Sequence, residues 1–383
     1  MNKTVFRLTA ISAMLVAGGG AFAQSTSPSS SSSSSSSSTT CEQVLSSLAS
    51  LASSPSFASF YSSQLEEYKS HYPQCFPSTS AASTQQISAT SFQQVSMISA
   101  NIGTRLLNAA NGPQRQASLG VSGLAAGGIA DNWNSWGNLG QSLISYVDNP
   151  TAFNPLKSSS NINNLVVGGD YRLSSDMLVG GSLALDRSRG SISRVSASTP
   201  TSTSTDGFSL APYFGWQIMD SLALDASFGF GKGKSDFGQS RTTANRLFYA
   251  ANLSYAQWFD NWQVSGKAGY LNSRERFGDL VNNGATANNT AGTSRLGQVR
   301  LGVEAGYWMP GGVMPFFGLM YSNDVTRNTQ GASPWDKTAF TLSAGLNFFS
   351  LKDKLTGGVV LSDESGRSNS RNRSLMGNIG MRF

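Results

Sequence analysis

Charge is scarce in this chain: Asp, Glu, Lys and Arg make up 13% of its 383 residues, about half the ~25% of soluble globular proteins. Histidine is limited to His71 and cysteine to Cys41 and Cys75. A zinc site of Cys and His therefore lacks ligands, and a hydrolase that needs an imidazole base would have to use His71. His71 sits beside Tyr72 with no Ser or Asp constellation around it, so it reads as surface decoration. Long apolar runs are missing as well. A membrane helix needs ~20 consecutive apolar residues, and only the first 23 positions come near that. Basic clusters are missing too. The net charge is +6, and Arg367, Arg371 and Arg373 are interleaved with Ser and Asn. That is too thin for a nucleic-acid footprint.

What is present is ordered along the chain. Residues 1–23 read as a secretory signal: Lys3 and Arg7 are the positive region, Leu8 to Ala17 the apolar region, and Ala21-Phe22-Ala23 the cleavage site. The mature chain is expected to start at Gln24. Residues 24–40 are almost pure Ser and Thr, with no apolar surface to offset the entropy of ordering, and read as a disordered tether. Residues 41–75 read as a small helical hairpin. Val44, Leu45, Leu48 and Leu51 recur at helical spacing, and Phe57, Phe60, Tyr61, Leu65 and Tyr68 continue it after Ser54-Pro55. Two antiparallel helices would bring Cys41 and Cys75 together, which in an exported protein reads as a disulfide staple, with free thiols as the alternative.

A second linker, residues 76–84, leads to a helix within 85–112. Val95, Ile98, Ile102 and Leu106 share one face, and Asn111-Gly112-Pro113 ends it. Over residues 85–108 such a helix would run roughly 36 Å, about a bilayer's height. Residues 113–130 are a Gly- and Ala-rich connection.

Over residues 131–383 the period changes to two. Leu222, Leu224, Ala226, Phe228 and Phe230 alternate with Ala223, Asp225, Ser227, Gly229 and Gly231. Val299, Leu301, Val303, Ala305 and Tyr307 alternate with Gln298, Arg300, Gly302, Glu304 and Gly306. The second face is small and polar, as suits the inside of a membrane barrel better than the wet face of a sandwich. Short turns at Ser174-Ser175, Asp220-Ser221, Asp260-Asn261, Pro310-Gly311-Gly312 and Leu351-Lys352 alternate with longer polar segments. Those are expected at Ser188–Thr205, Asp236–Thr243, Phe277–Thr293, Thr326–Trp335 and Asp363–Asn372. Trp216, Trp258, Phe259, Trp262, Tyr307, Trp308, Phe348, Phe349 and Phe383 lie near short turns or the terminus, where an interfacial girdle belongs. Eleven strands are evident from Asn163 onward. Since a single-chain barrel takes an even number, a further strand is expected at Trp133–Gly140, before a loop Gln141–Ser160.

The expected fold is therefore all-β: a twelve-stranded antiparallel up-and-down transmembrane β-barrel, with a preceding lumenal helix and a small N-terminal helical hairpin. Asp170, Arg172, Asp186, Asp225, Lys267, Arg300, Glu304 and Arg382 are its candidate lumenal charges. Leu375, Ile379, Met381 and Phe383 mark a last strand facing lipid, the segment expected to engage the outer-membrane barrel-assembly machinery.

Gly123-Leu124-Ala125-Ala126-Gly127, Trp136-Gly137, Val167-Gly168-Gly169-Asp170-Tyr171-Arg172-Leu173, Ala211-Pro212-Tyr213-Phe214-Gly215 and Met381-Arg382-Phe383 occur in this order. Together, over roughly residues 85–383, they resemble the autotransporter β-domain of bacterial outer membranes. The resemblance implies a twelve-stranded translocator barrel whose pore holds a helix leading to a surface passenger, and residues 85–108 sit where that helix belongs. Passengers of that family commonly run to hundreds of residues, whereas here a short segment precedes the helix.

Chemistry is sparse. Gly229–Ser235, GFGKGKS, has three residues where a phosphate loop needs four, and lies on an alternating strand. No catalytic, cofactor or metal residues are expected, and the chain is not read as an enzyme. Two functions follow. One is an autotransporter-type barrel in outer-membrane lipid that exports or displays its N-terminal segment, with a surface ligand of the hairpin and no nucleic acid as partner. The other is a diffusion pore or structural barrel with a periplasmic N-terminal appendage.

Overall fold

The computed structural model describes residues 133–148, 156–194, 200–287, 290–328, 336–350 and 355–382. The signal, tether, hairpin with Cys41 and Cys75, second linker, helix, Gly/Ala connection and Phe383 lie outside the described residues.

Fourteen strands follow one another: β1 (Trp133–Asp148), β2 (Leu156–Arg172), β3 (Met177–Arg194), β4 (Thr201–Met219), β5 (Leu222–Phe237), β6 (Ser240–Phe259), β7 (Trp262–Phe277), β8 (Leu280–Asn282), β9 (Ala285–Ala287), β10 (Gly292–Tyr307), β11 (Val313–Asn328), β12 (Thr338–Ser350), β13 (Leu355–Ser365) and β14 (Ser370–Arg382). The three-residue strands β8 and β9 form a hairpin in the connection between β7 and β10, which leaves twelve strands in the barrel. Each of those is antiparallel to its neighbour in sequence, and β1 pairs with β14 from Asn134–Arg382 to Tyr146–Ser370. That pairing closes the sheet. Closure is what makes the fold viable in hydrocarbon, where every unpaired amide costs several kcal/mol.

Alternation sorts the side chains. On β6, Leu247, Tyr249, Leu253 and Tyr255 are exposed on the outer face, while Ala244, Arg246, Phe248, Ala250, Asn252, Ser254 and Ala256 are buried on the inner one. The outer belt is continued by Leu183, Leu185, Phe228, Phe230, Leu301, Val303, Phe317, Leu319, Leu342, Leu346, Val359 and Leu361. Near the short turns it ends in aromatic pairs: Trp133 with Tyr171 and Trp262 with Tyr307, each with ring centres 5.1 Å apart. Trp258 and Phe349 carry the inner-face parity of β6 and β12, so the outward girdle is smaller than the sequence suggests.

The inner wall is packed by large side chains lying over glycines. Gly168 is the direct partner of Trp136, Gly180 of Tyr213 and Gly229 of Phe248. A Cβ at any of the three would collide with the ring above it. GFGKGKS is thus a stretch of β5 whose glycines face inward: Gly229 and Gly233 make room for Phe248 and Arg246 of β6, and Gly231 for Phe208-Ser209 of β4.

The two rims differ less than the alternation of short and long connections predicts. At the rim holding both barrel ends, the turns after β4 and β6 are two residues each, with Asp260 at φ 54°. At the opposite rim, Asp236–Thr243 is not a loop: β5 and β6 run on to a turn at Gly238-Gln239. Likewise β1 extends to Asp148 and β2 starts at Leu156, so most of Gln141–Ser160 is strand. Strands reach 20 residues, whereas ~9–11 cross a bilayer. Their outer faces simply turn polar beyond the belt while the hydrogen-bonded ladder continues. Inside Phe277–Thr293, Asn283 (φ 48°) and Gly284 (φ 86°) form the tight turn between β8 and β9, as Asn-Gly in a two-residue hairpin favours.

Candidate functional site

The inner wall carries the polar groups, held in three networks. Nearest the short-turn rim, Trp136 Nε1 donates to Tyr213 Oη at 2.7 Å, and Tyr213 Oη donates to Asp170 Oδ2 at 2.7 Å. This links β1, β4 and β2 and leaves Asp170 only 5% exposed.

The second network is an ion triad with fully buried side chains. Arg246 on β6 gives Nη1 to Asp186 Oδ1 at 2.6 Å and Nη2 to Asp186 Oδ2 at 3.2 Å, and its Nε lies 3.1 Å from Glu275 Oε1. Glu275 is its direct partner on β7, but Asp186 stands on β3, two strands beyond β5. The guanidinium spans that gap because Asp186, Gly207 and Gly233 form one row of partners across β3, β4 and β5. A Cβ on Gly207 would collide with Nη1, and one on Gly233 would lie 2.8 Å from Nη2.

The third network crosses the wall from β5 to β13. Asn252 Nδ2 donates to Asp225 Oδ1 at 2.6 Å, and Lys267 on β7 lies within electrostatic reach of Asp225, Arg300 and Glu304. Arg300 Nε donates to Gln298 Oε1 at 2.6 Å, and Gln298 Nε2 donates to Asp324 Oδ1 at 2.7 Å. Asp324, 1% exposed, also receives Arg327 Nη1 and both Nη atoms of Arg367, whose Nε reaches Glu364 Oε1 at 3.2 Å. Arg367 Nη1 further donates to the Asp336 carbonyl, and the Ser368 amide to Asp336 Oδ2 at 2.7 Å.

Of the sequence candidates, Asp170, Asp186 and Asp225 are buried on the inner wall, while Lys267, Arg300 and Glu304 are half-buried there. Arg172 is half-buried at the end of β2, and Arg382 is placed by its backbone pairing with Asn134. Leu375, Ile379 and Met381 are exposed on the outer face of β14. Asp225 and Glu304 both lie within electrostatic reach of Lys267, whereas Asp186 belongs to a separate triad. Sequence reading missed Arg246, Glu275, Tyr213, Asp324 and Arg367. Parity on β6 and β7 is the signal that finds the first two, since both charges fall on otherwise small, buried positions. Among the described residues no group of three His, Cys, Asp or Glu side chains is placed to hold a metal.

The Asp336 contact gives a pH prediction in the loop outside the membrane. Hydrogen bonds from Ser368, its hydroxyl first and then its amide, hold the Asp336 carboxyl below the ordinary carboxylate value. The folded form is therefore favoured above the unfolded value, and that gain is lost as pH falls from about 4 through the depressed folded value. Protection of the Ser368 amide, its exchange rate divided into the intrinsic rate at each pH, should fall over that acid range and stay unchanged with Asp336→Asn, which cannot titrate.

A search of curated proteins returns no match. Among solved structures, the translocator domain of autotransporter NalP from Neisseria meningitidis is similar, with TM-score 0.54 and 12% identity, covering 77% of this chain and 99% of that one. The β-domain of the Bordetella autotransporter BrkA gives 0.52 and 14%, with 66% and 100% covered. The transport unit of AIDA-I from Escherichia coli gives 0.51 and 11%, with 73% and 99% covered. At these identities the likeness establishes the barrel fold. The family model described as autotransporter beta-domain matches residues 139–359, more than half of the chain. By that match, and with its closed twelve-stranded barrel, the chain belongs to the autotransporter β-domain family.

Proposed function

We propose that this barrel exports its own N-terminal segment, residues 24–84, and displays it on the surface of the bacterial outer membrane. The observation that carries the reading is where the barrel begins. Trp133 lies on the rim that also holds the end of β14 and the two-residue turns after β4 and β6, the periplasmic rim in outer-membrane barrels. A segment ahead of Trp133 thus starts on the periplasmic side. The polar inner wall offers it a path on which backbone amides keep partners, which lipid does not. A helix over residues 85–112 is the natural occupant of that path. The reading needs no enzymatic step; the partners it calls for are lipid around the belt, the barrel-assembly machinery at β14 and a surface ligand for the hairpin.

Protease shaving of intact cells tests it, with an epitope tag inserted within Ser29–Ser38. Loss of the tag while the barrel persists supports display. A tag cut only after the outer membrane is permeabilised overturns display and favours the pore or scaffold barrel with a periplasmic appendage.

A further inference from the structure

Above the lipid-facing belt, at the rim away from the chain ends, the outer wall gathers cations that outnumber its carboxylates among the described residues. Arg274 on β7 and Arg295 on β10 are direct cross-strand partners. Arg276 follows on the same face of β7, and its partner Asn245 is in turn the partner of Lys232 on β5. Like charges placed directly opposite each other on a sheet are destabilising, and Arg274 is repelled by both Arg276 and Arg295. Its Nε is buried without a hydrogen-bond partner. Among the described residues, the carboxylate on the outer faces of β5, β6, β7 and β10 beyond the belt is Asp236, which Arg241 engages at 3.8 Å. Asp279, in the adjoining loop, accepts the amides of Thr290 and Ala291. Just below the cations, Asn272 Nδ2 donates to Tyr270 Oη at 3.1 Å, and the Tyr270 ring lies 6.0 Å from that of Tyr249.

The order on this wall is thus apolar belt, paired tyrosines, an amide, then four cations. It matches a lipid read from its tails to its headgroup. We propose that Lys232, Arg274, Arg276 and Arg295 form a binding site for the phosphate of an anionic glycolipid in the outer leaflet. A phosphate bridging Arg274 and Arg295 converts their repulsion into two charge-assisted contacts, while the acyl chains run past the tyrosines to Leu253 and Leu301, the exposed partners of Ala268 on β6 and β10. The site rests on the outer-membrane placement of the barrel but not on display of the N-terminal segment.

The full-length chain, refolded in a neutral detergent, is titrated with a diphosphorylated glucosamine lipid, its dephosphorylated form and inorganic phosphate, with thermal unfolding as the readout. The phosphorylated lipid is expected to raise the midpoint of the wild type. The triple variant Arg274→Gln, Arg276→Gln, Arg295→Gln should bind it roughly a hundred-fold more weakly, at about five-fold per cation. Arg295→Gln alone, which removes the direct like-charge pair, should show one such step. Arg371→Gln with Arg373→Gln removes cations that already hold Asp363 and should leave binding unchanged. An undiminished shift in both site variants overturns the proposal. So does an equal shift with inorganic phosphate or the dephosphorylated lipid, or an equal loss in the Arg371/Arg373 variant.

Discussion

Replacing Arg246 with Leu is expected to destabilise the folded barrel by roughly 3–5 kcal/mol, the cost of stranding buried charges whose partner is gone. Asp186 and Glu275 would each lose their counter-charge in a site closed to solvent, since the triad's side chains are at most 1% exposed. The urea midpoint of the heat-modifiable band, measured for protein refolded into vesicles, reports the loss. Removing all three charges together, with Asp186→Leu and Glu275→Leu added, should recover most of it, because apolar replacement of a whole buried ion network is often neutral or better. Wild-type stability in Arg246→Leu alone would show that water reaches the triad. The network also links distant strands, so the single substitution should loosen contacts from β3 to β7 rather than one hairpin.

The second large effect lies on the opposite face. Val303 is 59% exposed at the middle of the outer stretch Val299–Tyr307 on β10, where the surface meets hydrocarbon. Val303→Arg should cost roughly 2–4 kcal/mol, whereas Thr338→Arg, at the far end of β12 beyond the belt, should cost at most about 1 kcal/mol. The same urea titration distinguishes them. Equal costs at the two depths would mean that the belt is not where the lipid lies.

Much of this architecture was legible from alternation alone. The parity of β5 and β10 could be read directly, and the even-number rule pointed to a strand at Trp133. Hydropathy failed where the backbone continued without it. Asp236–Thr243 looks like a loop because its outward residues are polar, and Gln141–Ser160 because Asp148-Asn149-Pro150 signals a turn at its centre, yet a strand persists as long as its amides find a neighbour. The inner networks were harder still. Asp186 and Arg246 are 60 residues apart, and their meeting depends on two glycines on intervening strands whose role exists only once the sheet is registered. Asn283-Gly284, by contrast, announced its turn and was overlooked inside a polar stretch.

The pairing of β1 with β14 differs from every other in the barrel in having no turn to join it. Each remaining neighbour can be zipped from a local connection as the chain emerges, but this one must bring together segments from opposite ends of the domain. Its loop-closure entropy is therefore met last. Until Arg382 registers against Asn134 the molecule is a curved ribbon with two raw edges, each an open template for a stray strand. A chain cut short before Ser370 would not become a narrower barrel. It would stay a ribbon, and its fate would be decided by whatever guards those edges.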